Sequence, residues 1–155
     1  MNIITDKSLF IKQANSLIIN EENLVTNLSN LSALYKEYLP NTNWVGFYLV
    51  DKEQNNLVLG PFQGKVACTR IPFNKGVCGH CYTMKETIYV KDVHQFPGHI
   101  ACDSATNSEL VIPIIQNNEV VALLDIDSIE FDRFSAEEVQ AFSEVTKQIF
   151  ENIRF

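Results

Sequence analysis

Apolar residues recur every three or four positions at the start of the chain, which is the spacing of one face of an α-helix. One such face runs over Leu9–Ile18 and a second over Leu24–Tyr38, and we expect Asn20 to cap the second helix. Pro40 ends this region because proline cannot continue a helix. Near the other end, Ser135–Glu138 has the form of a capping box and begins a further amphipathic helix. We therefore expect helices at both ends of the chain.

Between these helices, aromatic and β-branched residues concentrate in short runs, as they do in β-strands. The predicted elements are a short helix over Gly76–Met84 and strands over Trp44–Val50, Leu57–Phe62, Val66–Ile71, Ile88–Val90, Glu109–Ile115 and Val120–Asp127. The two-residue period of a strand places Trp44 and Tyr48 on one face and Phe47 on the other. The third strand places Cys68 within the sheet, and we expect Pro61 to end the second.

The last two predicted strands flank Asn117-Asn118, which is typical of a tight hairpin turn. Three acids interrupt the otherwise apolar runs on either side: Glu109, Asp125 and Asp127. A two-residue turn alone points Glu109 away from the other two. A three-residue loop that includes Gln116, or a β-bulge near Pro113, brings all three to one face of the sheet. We predict the shared face.

The 155 residues are 46% hydrophobic and 20% charged, without a low-complexity tract, internal repeat or linker. This is enough apolar material for one compact core, so we expect a single domain over residues 1–155. Helices at both ends and strands between them indicate an α+β class. Its centre is expected to be a mainly antiparallel sheet flanked by the N- and C-terminal helices.

The net charge of −7 argues against nucleic acid or an anionic membrane as the main partner. The longest apolar runs are far too short to span a membrane, and Met1–Asp6 lacks the pattern of a signal peptide. We therefore expect a cytoplasmic protein. Four cysteines fall within 35 residues: Cys68, Cys78, Cys81 and Cys102. Without a secretion signal, such clustering favours thiol chemistry or metal binding over structural disulfides.

Cys102 lies in a connection, Lys91–Ser108, that is long for a compact domain and rich in turn-forming residues. The three acids follow it within 25 residues. Burying a carboxylate requires partners or a shifted pKa, so acids at apolar strand positions indicate a function. Crowded carboxyl groups cannot all ionise, and at least one should hold a proton near neutral pH. A thiol and a proton source in one place predict redox chemistry.

Cys78-Gly-His-Cys81 leaves two alternatives, a redox-active pair or half of a zinc site. No second C-x-x-C is present, so we predict no metal. His80, His94 and His99 have neither a helix-spaced pair nor an acid partner that the sequence identifies. Positions in turns or in the core are expected for all three.

Six segments carry a resemblance to a known family: Asn43–Tyr48, Gly64–Ile71, Gly76–Gly79, Asp92–Asp103, Ser108-Glu109 and Leu124–Ser128. Together they resemble the free methionine-(R)-sulfoxide reductases, GAF-domain enzymes that reduce free methionine sulfoxide and not the residue within proteins. The resemblance implies a GAF-like fold, thioredoxin as an external reductant, no bound cofactor and a homodimer.

The resemblance also implies that Cys102 is the catalytic nucleophile and Cys68 the resolving cysteine. Cys78 is a further thiol able to form a disulfide with Cys102. Cys81 departs from the family pattern, so the choice of the resolving thiol stays open. A thiolate suits this chemistry because its product, a sulfenic acid, is reversible. A second thiol then forms a disulfide that an external dithiol reduces.

For the substrate, the resemblance implies a pocket wall made by Trp44 and Tyr48. It assigns binding of the sulfoxide and ammonium ends to the three acids, which are Glu109, Asp125 and Asp127. The sulfoxide oxygen leaves readily only when it is protonated, so one acid must stand within reach of it. Backbone amides of the loop are expected to receive the substrate carboxylate, among them those of Ile100, Ala101 and Asp103.

The alternative hypothesis is a GAF module that senses a nucleotide or an amino acid without chemistry. Asn74-Lys75 matches the start of the cyclic-nucleotide signature, but the rest of that signature is absent. An assay of methionine formation separates an enzyme from a sensor.

Overall fold

The computed structural model describes residues 1–155. The elements in chain order are α1 Ile3–Ile18, α2 Leu24–Glu37, β1 Trp44–Asp51, β2 Asn56–Gly64, β3 Arg70–Pro72, α3 Gly76–Met84, β4 Ile88–Val90, a 3₁₀ turn Val93–Gln95, β5 Ser108–Gln116, β6 Glu119–Ser128 and α4 Ala136–Phe150. The strands form one sheet in the order β3-β2-β1-β6-β5-β4, and every neighbouring pair is antiparallel. The predicted α+β fold with an antiparallel sheet is confirmed.

The two faces of the sheet carry different cores. Helices α1, α2 and α4 cover one face, where Val45 and Phe47 of β1 are fully buried. Helix α3 covers the other face, where Trp44 and Tyr48 pack with Val77. The two-residue alternation predicted for β1 is therefore confirmed. Burial on both faces explains why the central strands are almost continuously apolar.

Of the helix caps predicted from the sequence, the structure confirms one and contradicts another. Ser135 and Glu138 form the predicted capping box at the start of α4. The predicted cap at Asn20 is wrong, because the side chain of Asn23 accepts the hydrogen bond from Thr26 N at 3.0 Å. Asn23 directly precedes the first helical residue, which is the position where its carbonyl can reach an unpaired N–H. None of the helices has the length and apolar character needed to cross a membrane.

Strand β2 continues past Pro61, which we expected to end it. The pairing of β1 with β2 shifts register between Gly46 and Tyr48, so that Gly60 and Pro61 lie in a β-bulge. Proline is tolerated there because a bulge residue does not need its N–H for the ladder. The strand therefore extends to Gly64 and lies over the indole of Trp44, where a Cβ on Gly64 would come within 2.5 Å of Trp44 Cδ1.

Cys68 lies outside the sheet, so the predicted strand over Val66–Ile71 is wrong in its first half. Only Arg70–Pro72 pairs with β2, and the residues from Lys65 to Thr69 form a connecting segment. The hydroxyl of Tyr48 donates a hydrogen bond of 2.8 Å to Cys68 O, which draws this segment over the α3 face of the sheet. The β-branched residues of the segment gave a strand signal that tertiary contacts override.

The hairpin of β5 and β6 confirms the predicted shared face of the acids. Asn117 and Asn118 make a two-residue turn, and both adopt positive φ, which asparagine tolerates well. The three-residue loop is therefore not used. Instead, the register shifts between Ile114 and Ile115, beside Pro113, as the bulge alternative requires. The shift points Glu109, Asp125 and Asp127 toward α3.

Candidate active site

Three carboxyl groups meet beneath α3 because two adjacent strands deliver them to the same face. Glu109 of β5 lies directly opposite Asp127 of β6, and Asp125 lies opposite Val111. Glu109 is 7% exposed and Asp125 is 5% exposed. The Oδ1 atoms of Asp125 and Asp127 are buried and have no hydrogen-bond partner. A protonated carboxyl of the cluster is one group that can supply them with a hydrogen bond.

This arrangement keeps protons on the acids at neutral pH. Burial first, and then the charges of Asp125 and Asp127, raise the pKa of Glu109 well above its ordinary value. Burial and the nearby Asp125 charge likewise raise the pKa of Asp127 well above the ordinary value. Burial also raises the pKa of Asp125, but hydrogen bonds from Glu109 and Cys78 oppose that shift. Asp125 is therefore the member of the cluster that ionises most readily.

Cys78, from the first turn of α3, adds a thiol to the cluster. Burial and the charges of Asp125 and Glu109 raise its pKa well above the ordinary value, so it remains a thiol and donates to Asp125. The ligand atoms of Cys78, Glu109 and Asp125 lie within 4.8 Å of one another. Metal ligands must be deprotonated, whereas this group favours bound protons. Proton storage therefore describes the cluster better than metal binding.

Cys102 faces the cluster from the loop between β4 and β5, where it is joined to Cys68 by a disulfide with the two Cα atoms 5.3 Å apart. The next residue, Asp103, accepts hydrogen bonds of 2.9 Å from Ala105 N and from Asn43 Nδ2. These bonds lower the pKa of Asp103 below its ordinary value. The site thus combines one ionised carboxylate with the protonated cluster.

The disulfide, the acids and α3 enclose a small cavity of about 30 Å³. Twelve residues line it: Ile71, Gly76, Val77, Cys78, His99, Ile100, Cys102, Asp103, Thr106, Glu109, Asp125 and Asp127. A cavity of this size has room for about two water molecules. The chemical capability of the site follows from this lining, which places a redox-active sulfur beside several protons.

Residues 31–153 match the family model of the GAF domain. The chain is 47% identical over 135 residues to the free methionine-R-sulfoxide reductase of Escherichia coli, covering 87% of this chain and 81% of the relative. The reductase of the same name from Saccharomyces cerevisiae is 47% identical over 82% of this chain and 74% of its own. The free methionine-R-sulfoxide reductase of Neisseria meningitidis, solved in complex with its substrate, is 38% identical. It superposes with a TM-score of 0.88 over 96% of this chain and 90% of its own.

This chain belongs to the free methionine-R-sulfoxide reductase family. The family relationship covers nearly the whole length of the chain, so the cavity and its lining belong to the shared domain. Of the candidate residues derived from the sequence, the structure brings seven to the cavity wall: Cys78, Ile100, Cys102, Asp103, Glu109, Asp125 and Asp127. Cys68 reaches this wall through its bond to Cys102. Ala101 lies in the same loop and does not line the cavity.

Trp44 and Tyr48 lie behind the cavity of this reductase family member and not on its wall. Their rings stack at 5.9 Å and are almost completely buried. Trp44 Nε1 donates to Lys65 O at 3.1 Å, and the Tyr48 hydroxyl donates to Cys68 O. In the disulfide form both therefore support the segment that carries Cys68. Their role as a substrate wall stays a prediction.

His99 is a site residue that the sequence did not single out. Its ring is 14% exposed, and its Nε2 lies 3.8 Å from Glu109 Oε1. His99 and Glu109 are ten positions apart in the sequence, one in a loop and the other in a strand. Their spacing therefore did not predict that they would be in contact. The only available sign was its place three residues before Cys102 in the turn-rich loop.

Cys81 is fully buried on the far side of Cys78 and has a structural role. Its thiol donates to Glu86 O at 3.3 Å and contacts Val111 O at 3.7 Å. Burial first, and then the Asp125 charge, raise its pKa above the ordinary value, so it stays an unreactive thiol. It does not line the cavity. The C-x-x-C spacing thus places one cysteine in the site and one in the core of a nine-residue helix.

Proposed function

We propose that this protein reduces free methionine-(R)-sulfoxide to methionine by thiol chemistry at Cys102. The observation that carries the proposal is the Cys102 sulfur, bonded to Cys68, on the wall of a cavity lined by four carboxyl groups. A sulfoxide reductase needs both parts, since one supplies electrons and the other supplies protons. The names of the Escherichia coli and Neisseria meningitidis relatives support the same substrate.

In the first step, the Cys102 thiolate attacks the sulfoxide sulfur. The S=O bond breaks, the oxygen passes to the Cys102 sulfur, and one proton from the acid cluster completes the sulfenic acid as methionine is released. Glu109 and Asp127 are suited to donate this proton because burial keeps them protonated at neutral pH. A positioned proton donor typically contributes about 10²–10⁴-fold in rate.

In the second step, the Cys68 thiol condenses with the sulfenic acid. Water leaves, and the bond that forms is the Cys68–Cys102 disulfide of this structure. An external dithiol, for which we propose thioredoxin, then reduces this bond and restores both thiols. Val66 is 89% exposed two residues before Cys68, which leaves this side of the disulfide accessible to a protein reductant. The cycle requires no bound cofactor or metal.

Recognition of a free amino acid requires sites for an ammonium and a carboxylate. Asp103 is ionised and Asp125 ionises most readily within the cluster, so both suit the ammonium group. The backbone amides of the loop, among them those of Ile100 and Ala101, suit the carboxylate. Trp44 and Tyr48 are proposed to contact the thioether end once the disulfide above them opens.

Methionine sulfoxide has ten non-hydrogen atoms, and binding sites for small molecules usually have volumes of about 300–1,000 Å³. The cavity of the disulfide form, at about 30 Å³, is too small for it. Substrate is therefore proposed to bind only after the Cys68–Cys102 bond is reduced and the loop carrying Cys102 moves outward. We further infer a homodimer in the cytoplasm, which sedimentation and cell fractionation test.

The deciding experiment incubates the reduced protein separately with the R and S epimers of free methionine sulfoxide, with thioredoxin recycling. We expect methionine from the R epimer alone, and no methionine from Cys102→Ser. Cys81→Ser is the matched control because it changes a cysteine that lies outside the cavity. Absence of product from the R epimer with the unaltered protein would refute the proposed function. Mass spectrometry after one turnover without reductant identifies the thiol that pairs with Cys102.

A further inference from the structure

His99 stands between the buried acids and a second depression of the surface. The cavity and a larger groove of about 610 Å³ share three lining residues, which are Gly76, His99 and Ile100. Gly76 offers no side chain and Ile100 offers only an apolar one. The imidazole of His99 is therefore the one ionisable side chain that borders both spaces.

The loop holds the ring of His99 in this position through its backbone. Gly76 N donates to Gly98 O at 3.2 Å, which ties the loop to the start of α3. His99 N donates to Phe96 O at 3.2 Å and closes a turn in which Gly98 has a φ of +76°. Residue 98 must be glycine for this turn to form readily. The turn directs the next side chain inward, toward β5.

The inner end of the ring meets Glu109. The distance from Nε2 to Glu109 Oε1 is 3.8 Å, so a movement of less than 1 Å brings the pair to hydrogen-bond length. Contacts of this kind often shorten only when substrate is bound. The outer side of the ring borders the groove that Lys75, His80 and Phe96 also line. The ring thus has one nitrogen toward the acids and one side toward solvent.

The electrostatic surroundings keep this ring neutral at neutral pH. Burial, and then the nearby His94, lower the pKa of His99 below its ordinary value. The other titratable groups that line the two spaces are Glu109 on β5, Asp125 and Asp127 on β6, Lys75 directly before α3, Cys78 and His80 within α3, and Asp103 on the same loop. A neutral imidazole can accept a proton at one nitrogen while it donates from the other.

We propose that His99 is a positioning residue that carries protons from the groove to Glu109. This inference rests on the proposed function, because the acid cluster loses one proton to the sulfoxide oxygen in each turnover. The Glu109 carboxylate left behind takes the proton from Nε2 of His99. In the same step Nδ1 takes a proton from a hydronium ion or buffer acid in the groove, so the ring stays neutral, and a tautomer change restores it. The buried cluster is thereby recharged without opening to solvent.

The test is the steady-state rate of methionine formation by His99→Ala at saturating reductant, because the acid cluster must regain its proton between turnovers. We expect the rate to fall about 10²-fold, at the lower end of the range for proton-transfer groups. Imidazole added to the solution should restore much of the loss with saturating dependence, since the groove and the vacated ring position admit it. The rescued rate should follow the fraction of neutral imidazole as the pH changes.

His80→Ala is the matched control because His80 lines the groove but not the cavity. It should keep the unaltered rate and show no response to imidazole. A His99→Ala protein that is as fast as the unaltered protein, or that is slow and insensitive to imidazole, would overturn the relay. The unaltered protein measured in parallel separates the two proposals, because its failure to form methionine refutes the proposed function itself.

Discussion

The buried acid cluster predicts that the folded protein loses stability as the pH rises. The perturbation that reveals this is the double substitution Glu109→Gln and Asp127→Asn, which replaces both strongly shifted carboxyls with neutral groups of similar shape. These side chains are buried on the α3 face, and their folded pKa values are raised by burial. In the unfolded chain both return to ordinary carboxyl values near 4.

The sign of the effect follows from proton binding. Below about pH 4 both states hold the protons, so no difference arises. Above that pH the unfolded chain releases two protons that the folded protein retains, and unfolding becomes progressively easier. Each retained proton costs about 1.4 kcal/mol of unfolding free energy per pH unit, so the pair costs about twice that. This loss continues until the pH passes the raised folded pKa values. It is large compared with a total stability of about 5–15 kcal/mol.

The assay is urea unfolding of the oxidised protein at pH values from 5 to 7, with the disulfide intact in both variants. We expect the double variant to gain stability relative to the unaltered protein, and the gain to grow with pH at the calculated slope. Groups shifted by partners outside the cluster, such as Asp51 and Glu144, are present in both proteins and cancel in the difference. A gain that does not change with pH would show that the two acids are ionised in the folded protein.

Three further expectations can be measured independently. Cys81→Ala should leave methionine formation within about twofold and cost about 1 kcal/mol of unfolding free energy, because the thiol only fills space and donates to backbone carbonyls. Calorimetric titration should detect binding of methionine sulfoxide to the reduced Cys102→Ser protein but not to the disulfide form, and equal binding would contradict the size argument. Asn43→Leu removes a donor to Asp103, so it should raise KM about tenfold or more with a smaller change in kcat, whereas an unchanged KM would exclude Asp103 from substrate binding.

The sequence predicted the arrangement of the acids because that arrangement depends on local rules. The alternation of a strand places Asp125 and Asp127 on one face, and a bulge beside Pro113 adds Glu109. The capping box at Ser135, where α4 begins, and the turn at Asn117 are also local features, and the structure confirms both. Such features need only near neighbours in the chain, which is why one sequence suffices to predict them.

Several features that the sequence did not predict depend on contacts between distant segments. Cys68 leaves the sheet because Tyr48 and the bond to Cys102 hold its segment, and residue type alone favoured a strand. Trp44 lies behind the cavity because the backbone of Lys65 crosses in front of it. The role proposed for His99 depends on its contact with the carboxyl group of Glu109, which lies on β5. No spacing rule connects these partners.

The protonation of the cluster also explains why the fold tolerates three carboxyl groups buried together, which is costly in free energy. Three ionised carboxylates in one buried space would repel one another strongly, but protonated carboxyls satisfy each other's oxygens by hydrogen bonding. The buried Oδ1 atoms of Asp125 and Asp127 therefore cost the fold less while neighbouring carboxyls hold protons that they can donate. The group that releases a proton to substrate thus leaves the fold less stable until it is reprotonated. A nearby neutral imidazole, such as His99, shortens the lifetime of that unfavourable state, so proton delivery supports both turnover and the integrity of the site.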